Sequence, residues 1–471
     1  MKKRLYFIGL CGTAMAGAAV ALKQAGYEID GSDEGVYPPM STYLETNGIT
    51  CRKGFSTSNL EPPPDLVVIG NAMSRGNPEV EHVLNSRIPF MSLPALIREY
   101  FIADRTSIVV AGTHGKTSTT SLVAWLFEFA GESPGFMIGG VPKDLREACR
   151  TGKGSMFIVE GDEYDTAFFD KRSKFVHYAP HTTVINNIEF DHADIFRDLN
   201  SVKQSFRQLV NLIPGNGLLL VSGDDTSAVE VSAGAHTNIE TFGFGERNDW
   251  LALNTRYSED GSRFQLTRSG NALGEFVYPF AGAFHVRNAM AAIAVAVHHG
   301  IPVQTIRDGL RAFRGVKRRM DIVHDGAVTV IDDFAHHPTA IRETLTALRL
   351  RYPGRRLWAI FEPRSNTSTR NLLQQDLHDA LAHADVAIIG PINRPERYSD
   401  EQRLDPEAVA SSLEQDGILA AHIPDVDEII SFIESRLQVG DVLAVMSNGS
   451  FGGIHGKIAT LAGSIAMDNG G

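Results

Sequence analysis

The sequence is short of the features that mark several large classes of protein. Only three cysteines occur in 471 residues, Cys11, Cys51 and Cys149. They are too few and too scattered for a disulfide framework or a thiolate zinc site, and free thiols suit a reducing cytoplasm. Positive charge is scarce as well: 44 Lys and Arg stand against 56 Asp and Glu, a net charge of −12. That balance argues against a nucleic-acid partner held by phosphate neutralisation, while leaving small anionic ligands open. Beyond the N-terminus no apolar run reaches the roughly 18 residues needed to span a bilayer, so no membrane attachment is expected. Low-complexity segments and internal repeats are absent too. What remains is an ordinary globular composition, 43% hydrophobic and 21% charged, in a chain too long for a single core.

The opening stretch, MKKRLYFIGLCGTAMAGAAVALKQAG, fits two readings. Basic residues before an apolar run resemble an export signal. The same residues fit a strand, a glycine turn at Gly9, Gly12 and Gly17, and a helix closed by Gly26. No polar mature start follows a small-residue cleavage site, and the helix pattern runs on through Lys23 and Gln24 into YEIDGSD. The α/β reading, and with it a cytoplasmic protein, is therefore preferred. Its glycines read GxxGxxxxG, which misses the GxGxxG dinucleotide fingerprint. A diphosphate at the helix N-terminus, beside Gly9, Gly12 and Thr13, remains reasonable because free N–H groups favour anions there. Asp33 ends the second strand, where a ribose could be received. Asn71 and Ser74 follow a third strand, DLVVIG, and serve either a ligand or the turn itself, with Asn77 a candidate cap.

The most informative stretch is SIVVAGTHGKTSTTSLVAWLFEFAG. A β-branched strand, a turn over Gly112, Thr113, His114, Gly115, Lys116, Thr117 and Ser118, and an apolar helix make a P-loop. There backbone N–H groups would wrap phosphates, Lys116 would reach the β and γ oxygens, and the Thr117 hydroxyl would ligate Mg²⁺. Val110 occupies the first glycine position of the usual pattern. Downstream, FIVEGDEYD brings Glu160 to the end of another strand, and NNIEFDHADIF does the same for Asp191 and His192. Strands of a parallel sheet end on one edge, so Glu160 and, beside Asp191, His192 are candidate Mg²⁺ ligands facing the loop. The segment AFHVRNAMAA reads as a buried helix with a polar start, His285 and Asn288, and an exposed Arg287.

Lys317, Arg318 and Arg319 form a cationic run at a domain junction, either a solvated face or a clamp on a phosphate. Three further strand ends follow. They display Asp332, Asp333, His336 and His337, then Arg364, Ser365 and Asn366, then Asn448 and Ser450. These are capping residues or, if one sheet edge gathers them, a site for a zwitterion.

Taken in order, GLCGTAMAG, AGTHGKTSTT, FIVEGDEYD, NNIEFDH, FHVRNAMAA, GVKRRMD and DDFAHHP resemble the Mur ligase family, ATP-dependent enzymes of cell-wall precursor synthesis. The resemblance implies a three-domain α/β fold. Residues 1–104 would form a Rossmann-like UDP-sugar domain, 105–320 a central ATP-binding P-loop domain with a mostly parallel sheet, and 321–471 a Rossmann-like acceptor domain. GTHGKT, NIE-x-DH and RRMD with DDFAHHP resemble the branch that uses UDP-N-acetylmuramate. VYPPMSTYLE, EYDTAFFDKRSKFVHYAP and FEPRSNT resemble members that attach the salvaged tripeptide L-alanyl-γ-D-glutamyl-meso-diaminopimelate; the alternative acceptor is L-alanine.

The implied chemistry makes the muramate carboxylate an acyl phosphate at the expense of ATP, and the acceptor amine then displaces phosphate. By resemblance, Lys116 and Thr117 serve the phosphates and Thr117, Glu160 and His192 hold Mg²⁺. Asn288 meets adenine, with His285 and Arg319 nearby, and Asp333 and His336 close over the site. Gly9, Gly12, Thr13, Asp33, Asn71 and Ser74 take the UDP-sugar, and Arg364, Ser365, Asn366, Asn448 and Ser450 take the peptide. The carbamylated lysine of other members is expected to be missing, since its place falls near Phe206, one helical turn beyond Lys203. Small molecules are thus the expected partners, of a monomer or weak homodimer. A catalytically silent nucleotide sensor and a P-loop kinase are the rival classes; an intact Lys116, Thr117 and Glu160 weigh against the sensor.

Overall fold

Short strands of four to six apolar residues alternate with helices, and both faces of each strand are covered, which is why LVVI, TTVI and VLAVM carry no polar alternation. The computed structural model describes residues 3–468, so the two ends of the expected domain spans lie outside the described residues. Three sheets organise the chain. The first has five parallel strands, in spatial order Thr50–Lys53, Glu28–Asp33, Arg4–Ile8, Leu66–Ile69 and Phe90–Ser92. Helix Thr13–Gln24 packs on it through an unbroken buried run from Met15 to Leu22, small residues that let helix and sheet approach closely.

The second sheet has ten strands. At its middle the strand Thr106–Ala111 lies between Met156–Gly161 and Thr182–Ile185, all parallel. A parallel strand joins Trp250–Ser258 to the rest, and from there Gly261–Arg268 and Asn271–Tyr278 run antiparallel. The sheet is mostly parallel, as expected, and this meander is an antiparallel extension at one end of it. Its two-residue turns, 259–260 and 269–270, are too short for crossover helices. Helix Ala283–His298 is buried from Ala289 to Ala296 on all sides, the signature of a central helix and not a surface one.

The third sheet has six strands in the order Asp321–Asp325, Thr329–Asp333, Val442–Met446, Leu357–Phe361, Val386–Ile389 and Leu419–His422. Only its first pair is antiparallel. Asp333 and Phe361 both pair with Met446, so the loops after these strands leave from one level of one edge. Among the described residues no helix is long and apolar enough to cross a membrane.

Candidate active site

The loop after strand Thr106–Ala111 turns sharply at two glycines. Gly112 has φ +139° and Gly115 φ +79°. A Cβ on Gly112 would come within 3.1 Å of Asn186, and one on Gly115 within 2.8 Å of the Asn288 Oδ1. Helix Lys116–Phe129 therefore starts at Lys116, two residues before the expected end of the turn at Ser118, because Gly115 in the left-handed region is itself the N-cap. The loop is braced from the next strand: Asn187 accepts the His114 N–H at 2.7 Å and donates to the His114 carbonyl at 3.2 Å.

Two clusters meet at the helix start. In one, the Thr117 hydroxyl donates to Glu160 at 3.0 Å and accepts from Arg319 at 3.1 Å, while the Gly139 N–H donates to the other Glu160 oxygen at 2.7 Å. A hydroxyl beside a carboxylate is a hard-oxygen pair, the donor chemistry Mg²⁺ requires. In the other, Lys116 Nζ donates to both Glu163 oxygens at 3.0 and 2.8 Å and to the carbonyls of Gly112 and Thr113. His192 Nε2 lies 3.2 Å from the same Glu163 carboxylate. Burial works against the charge on Lys116, but Glu163, Asp162 and Glu160 outweigh it and its pKa is raised. Burial likewise opposes charge on His192, and Glu163 and Asp191 reverse the balance. A cation held there by His192 would have to displace a proton. The imidazole thus stands in the lysine cluster, apart from the Thr117–Glu160 pair, in this state.

A cavity of about 290 Å³ opens over the loop. Lys116, Thr117, Ser118, Glu160, His192, Arg319, Asp333 and His336 all line it, and so do His285 and Asn288. Asn288 Nδ2 and His285 Nδ1 are buried and have no hydrogen-bond partner among the described residues. Orphaned polar atoms in a cavity wall fit a ligand with its own donors and acceptors, such as a nucleobase. Burial pushes His285 down to about 3, so it is neutral. Arg287, expected to be exposed, instead pairs with Glu343 of the third unit.

The third unit closes the cavity. Asp333 accepts the N–H groups of Met320 and Ala335 at 2.7 and 2.8 Å, and burial pushes its carboxyl up against their effect. It therefore shapes the loop that carries Arg319 and His336. Asp191 joins the two units: it accepts the Thr367 hydroxyl at 2.7 Å and lies 3.8 Å from His336 Nε2. Despite its burial, His336 and His192 hold its carboxyl well below the usual range. Glu189 makes a second junction, 3.0 Å from His114 and 3.5 Å from His337. Burial opposes its charge, yet His114 brings it down to about 2.

A second cavity, about 360 Å³, adjoins the first and shares His192 and His336 with it. Arg364, Ser365, Asn366 and Asn448 line it; Ser450 does not. Tyr164, Thr367, Arg394 and Arg397 also line it; the first two lie in quoted motifs without an assigned role, and no motif marked the two arginines. Glu163, Asp191 and Glu189 lay within stretches singled out from the sequence but had no assigned bonding role.

The first-unit residues lie apart from both cavities. Gly12 caps helix Thr13–Gln24 without a side chain, which leaves the first N–H groups of the helix uncapped by side chains. Asp33 accepts the Cys11 N–H at 2.9 Å and the Gly35 N–H at 2.8 Å, so its carboxylate already holds the turn together. Asn71 and Ser74 sit in the turn after Leu66–Ile69, and Asn77 caps helix Pro78–Ser86. Phe206 is fully buried at 0% exposure, and Lys203 pairs with Glu230 at 2.5 Å, so neither reaches the phosphate loop.

The chain belongs to the Mur ligase family. Its residues 4–105 match the family's catalytic-domain model, 110–296 the Mur ligase middle domain, and 318–449 the glutamate ligase domain. It is 42% identical over 459 residues, 97% of both chains, to the UDP-N-acetylmuramate–L-alanyl-γ-D-glutamyl-meso-2,6-diaminoheptandioate ligase of Escherichia coli K12. It is also similar to the crystal structure of a murein peptide ligase from Psychrobacter arcticus, with TM-score 0.72, 36% identity and 98% of each chain covered. A UDP-N-acetylmuramate–L-alanine ligase of Desulfitobacterium hafniense is 31% identical over 95% of this chain and 98% of its own.

Proposed function

We propose that this ligase joins UDP-N-acetylmuramate to L-alanyl-γ-D-glutamyl-meso-diaminopimelate at the expense of ATP, through an acyl phosphate. The first unit (1–104) takes the UDP-sugar, the second (105–320) the nucleotide, and the third (321–471) the acceptor. The observation that carries this reading is the pair of adjoining cavities with His192 and His336 at their junction. A triphosphate fits the lysine and threonine side, and an amine entering from the arginine side meets the activated carbon between them. The tripeptide carries several carboxylates where L-alanine carries one, and Arg364, Arg394 and Arg397 offer several cations to receive them. The 42% relative acts on the same tripeptide by name.

An ionised carboxylate is a poor electrophile, so catalysis must first stabilise charge on the transferring phosphoryl group. Lys116 and Arg319 supply fixed positive charge beside the loop that the left-handed Gly112 and Gly115 bend. Thr117 and Glu160 would hold Mg²⁺, with His192 a further ligand once its proton is lost. That ion would supply the charge that lets a triphosphate and a carboxylate approach one another. Asn288 and His285 would receive the base. His336, brought over the junction by the third unit, screens the amine's approach from water.

The test supplies ATP, Mg²⁺ and UDP-N-acetylmuramate with either the tripeptide or L-alanine, and follows phosphate release and product mass. Tripeptide-dependent turnover is expected. A preference for L-alanine would move the chain to the other acceptor class, and no amide with either would end the ligase reading.

A further inference from the structure

Two of the three cysteines come together in the first unit. Cys11 lies in the glycine turn after strand Arg4–Ile8, and Cys51 lies on Thr50–Lys53, the outermost strand of that sheet. Forty positions apart in sequence, their sulfurs are 3.6 Å apart, in van der Waals contact, and both side chains are partly exposed. Cys149 is buried and takes no part. The Cys11 N–H is bound by Asp33, and the neighbouring Gly9 and Leu10 N–H groups by the Ser32 carbonyl. The thiol pair is thus attached to the same turn that presents Gly9, Gly12 and Thr13 at a helix start.

We propose that Cys11 and Cys51 form a reversible intrachain disulfide when a hydroperoxide oxidises the protein, and that the bond shuts the anion-binding turn of the first unit. The second half rests on the reading of that turn as the UDP site. Chemically, one thiolate attacks the peroxide and becomes a sulfenic acid, releasing water or an alcohol. The other sulfur then displaces the sulfenic oxygen as a second water, so two thiol hydrogens and one peroxide bond are consumed. Burial raises both thiols, so oxidation should quicken as pH rises, and the contact between the sulfurs lets either one resolve the other. Contraction to a bond of about 2.05 Å draws the sulfurs together by about 1.5 Å. An edge strand, paired on one side only, and a glycine turn are the parts of the sheet that yield to such a pull. Moving the turn misplaces the N–H groups that a diphosphate needs.

The experiment treats the full chain with hydrogen peroxide and digests it without reductant. A cross-linked pair of peptides carrying Cys11 and Cys51, with Cys149 still free, is the expected product. Calorimetric titration with uridine diphosphate should show at least about tenfold weaker binding after oxidation, recovered with dithiothreitol. Cys51→Ala should keep its affinity through the same treatment. Absence of the cross-link would overturn the proposal, and so would equal loss of affinity in Cys51→Ala. If reduced protein fails to bind uridine diphosphate, the first-unit reading falls and takes the gating with it; the digest still decides the disulfide.

Discussion

Around the phosphate loop the polar groups are already partnered: Lys116 with Glu163, Thr117 with Glu160, His114 with Glu189, each at 3.2 Å or less. In the adjoining cavity Arg364 has Glu362 at 3.4 Å and Arg397 has Asn366 at 2.5 Å. Arg394 makes no ion pair or side-chain hydrogen bond among the described residues. The nucleotide side holds its groups preorganised, so little has to move when charge develops on phosphorus. The proposed acceptor side keeps Arg394 in reserve on a loop, where a carboxylate of the proposed tripeptide would partner it. Preorganisation suits a chemical step common to a whole family, whereas unpaired charge suits recognition that differs between members.

Breaking the paired side should have the largest effect. Lys116→Ala is expected to lower kcat by at least about 10²–10³-fold, in line with loss of a fixed phosphate donor. Binding of uridine diphosphate, measured by calorimetry, should be unaffected; parallel loss of both would deny that the two sites are separate. On the reserve side, Arg394→Ala should raise KM for the tripeptide by about 10- to 100-fold, as for a lost charge-assisted hydrogen bond. Its KM for ATP should hold. An unaltered tripeptide KM would remove Arg394 from the acceptor site.

The contrast sharpens at the junction. Thr367→Val deletes the hydroxyl that reaches Asp191 across the two units. About 1 kcal/mol of closed-state stability should go, a roughly fivefold fall in kcat. Solution scattering with an ATP analogue and UDP-sugar should show less compaction than the wild type.

A separate expectation concerns stability against pH, read by unfolding and not by turnover. Burial holds His285 down to about 3, and His299 and His337 down to about 4. All three are neutral when folded at pH 5, whereas the unfolded chain takes up protons below about 6.5. Stability should therefore fall as pH drops from about 6.5 toward 4, by at most about 1.4 kcal/mol per pH unit for each histidine. Urea denaturation at pH 7, 6 and 5 checks this, and a flat profile would mean these imidazoles are solvated.

Much of the nucleotide side was legible from the chain because its groups lie in short, contiguous stretches with a mechanical reason for their spacing. Gly112 to Ser118 bend the backbone and start a helix within seven residues, and that local geometry needs nothing distant. Glu160 and Asp191 could be placed at strand ends by apolar runs alone. Less could be read where partners come from afar. Asn288 looked like part of a buried helix until the fold set it against Gly115, and Arg287 looked exposed until Glu343 covered it. Arg394 and Arg397 follow a strand in a loop with no marked spacing, and Thr367 is one hydroxyl among several in SNTST.

By itself, then, the order of residues determined the alternation of strand and helix, the phosphate loop and the family, because backbone sterics and apolar periodicity act over a few residues. Only the tertiary structure decided which carboxylate holds Lys116, which arginines line the second cavity, and that Cys11 meets Cys51. Those choices depend on which strand edges lie side by side, and that is settled by burial of the whole chain rather than by any stretch of it.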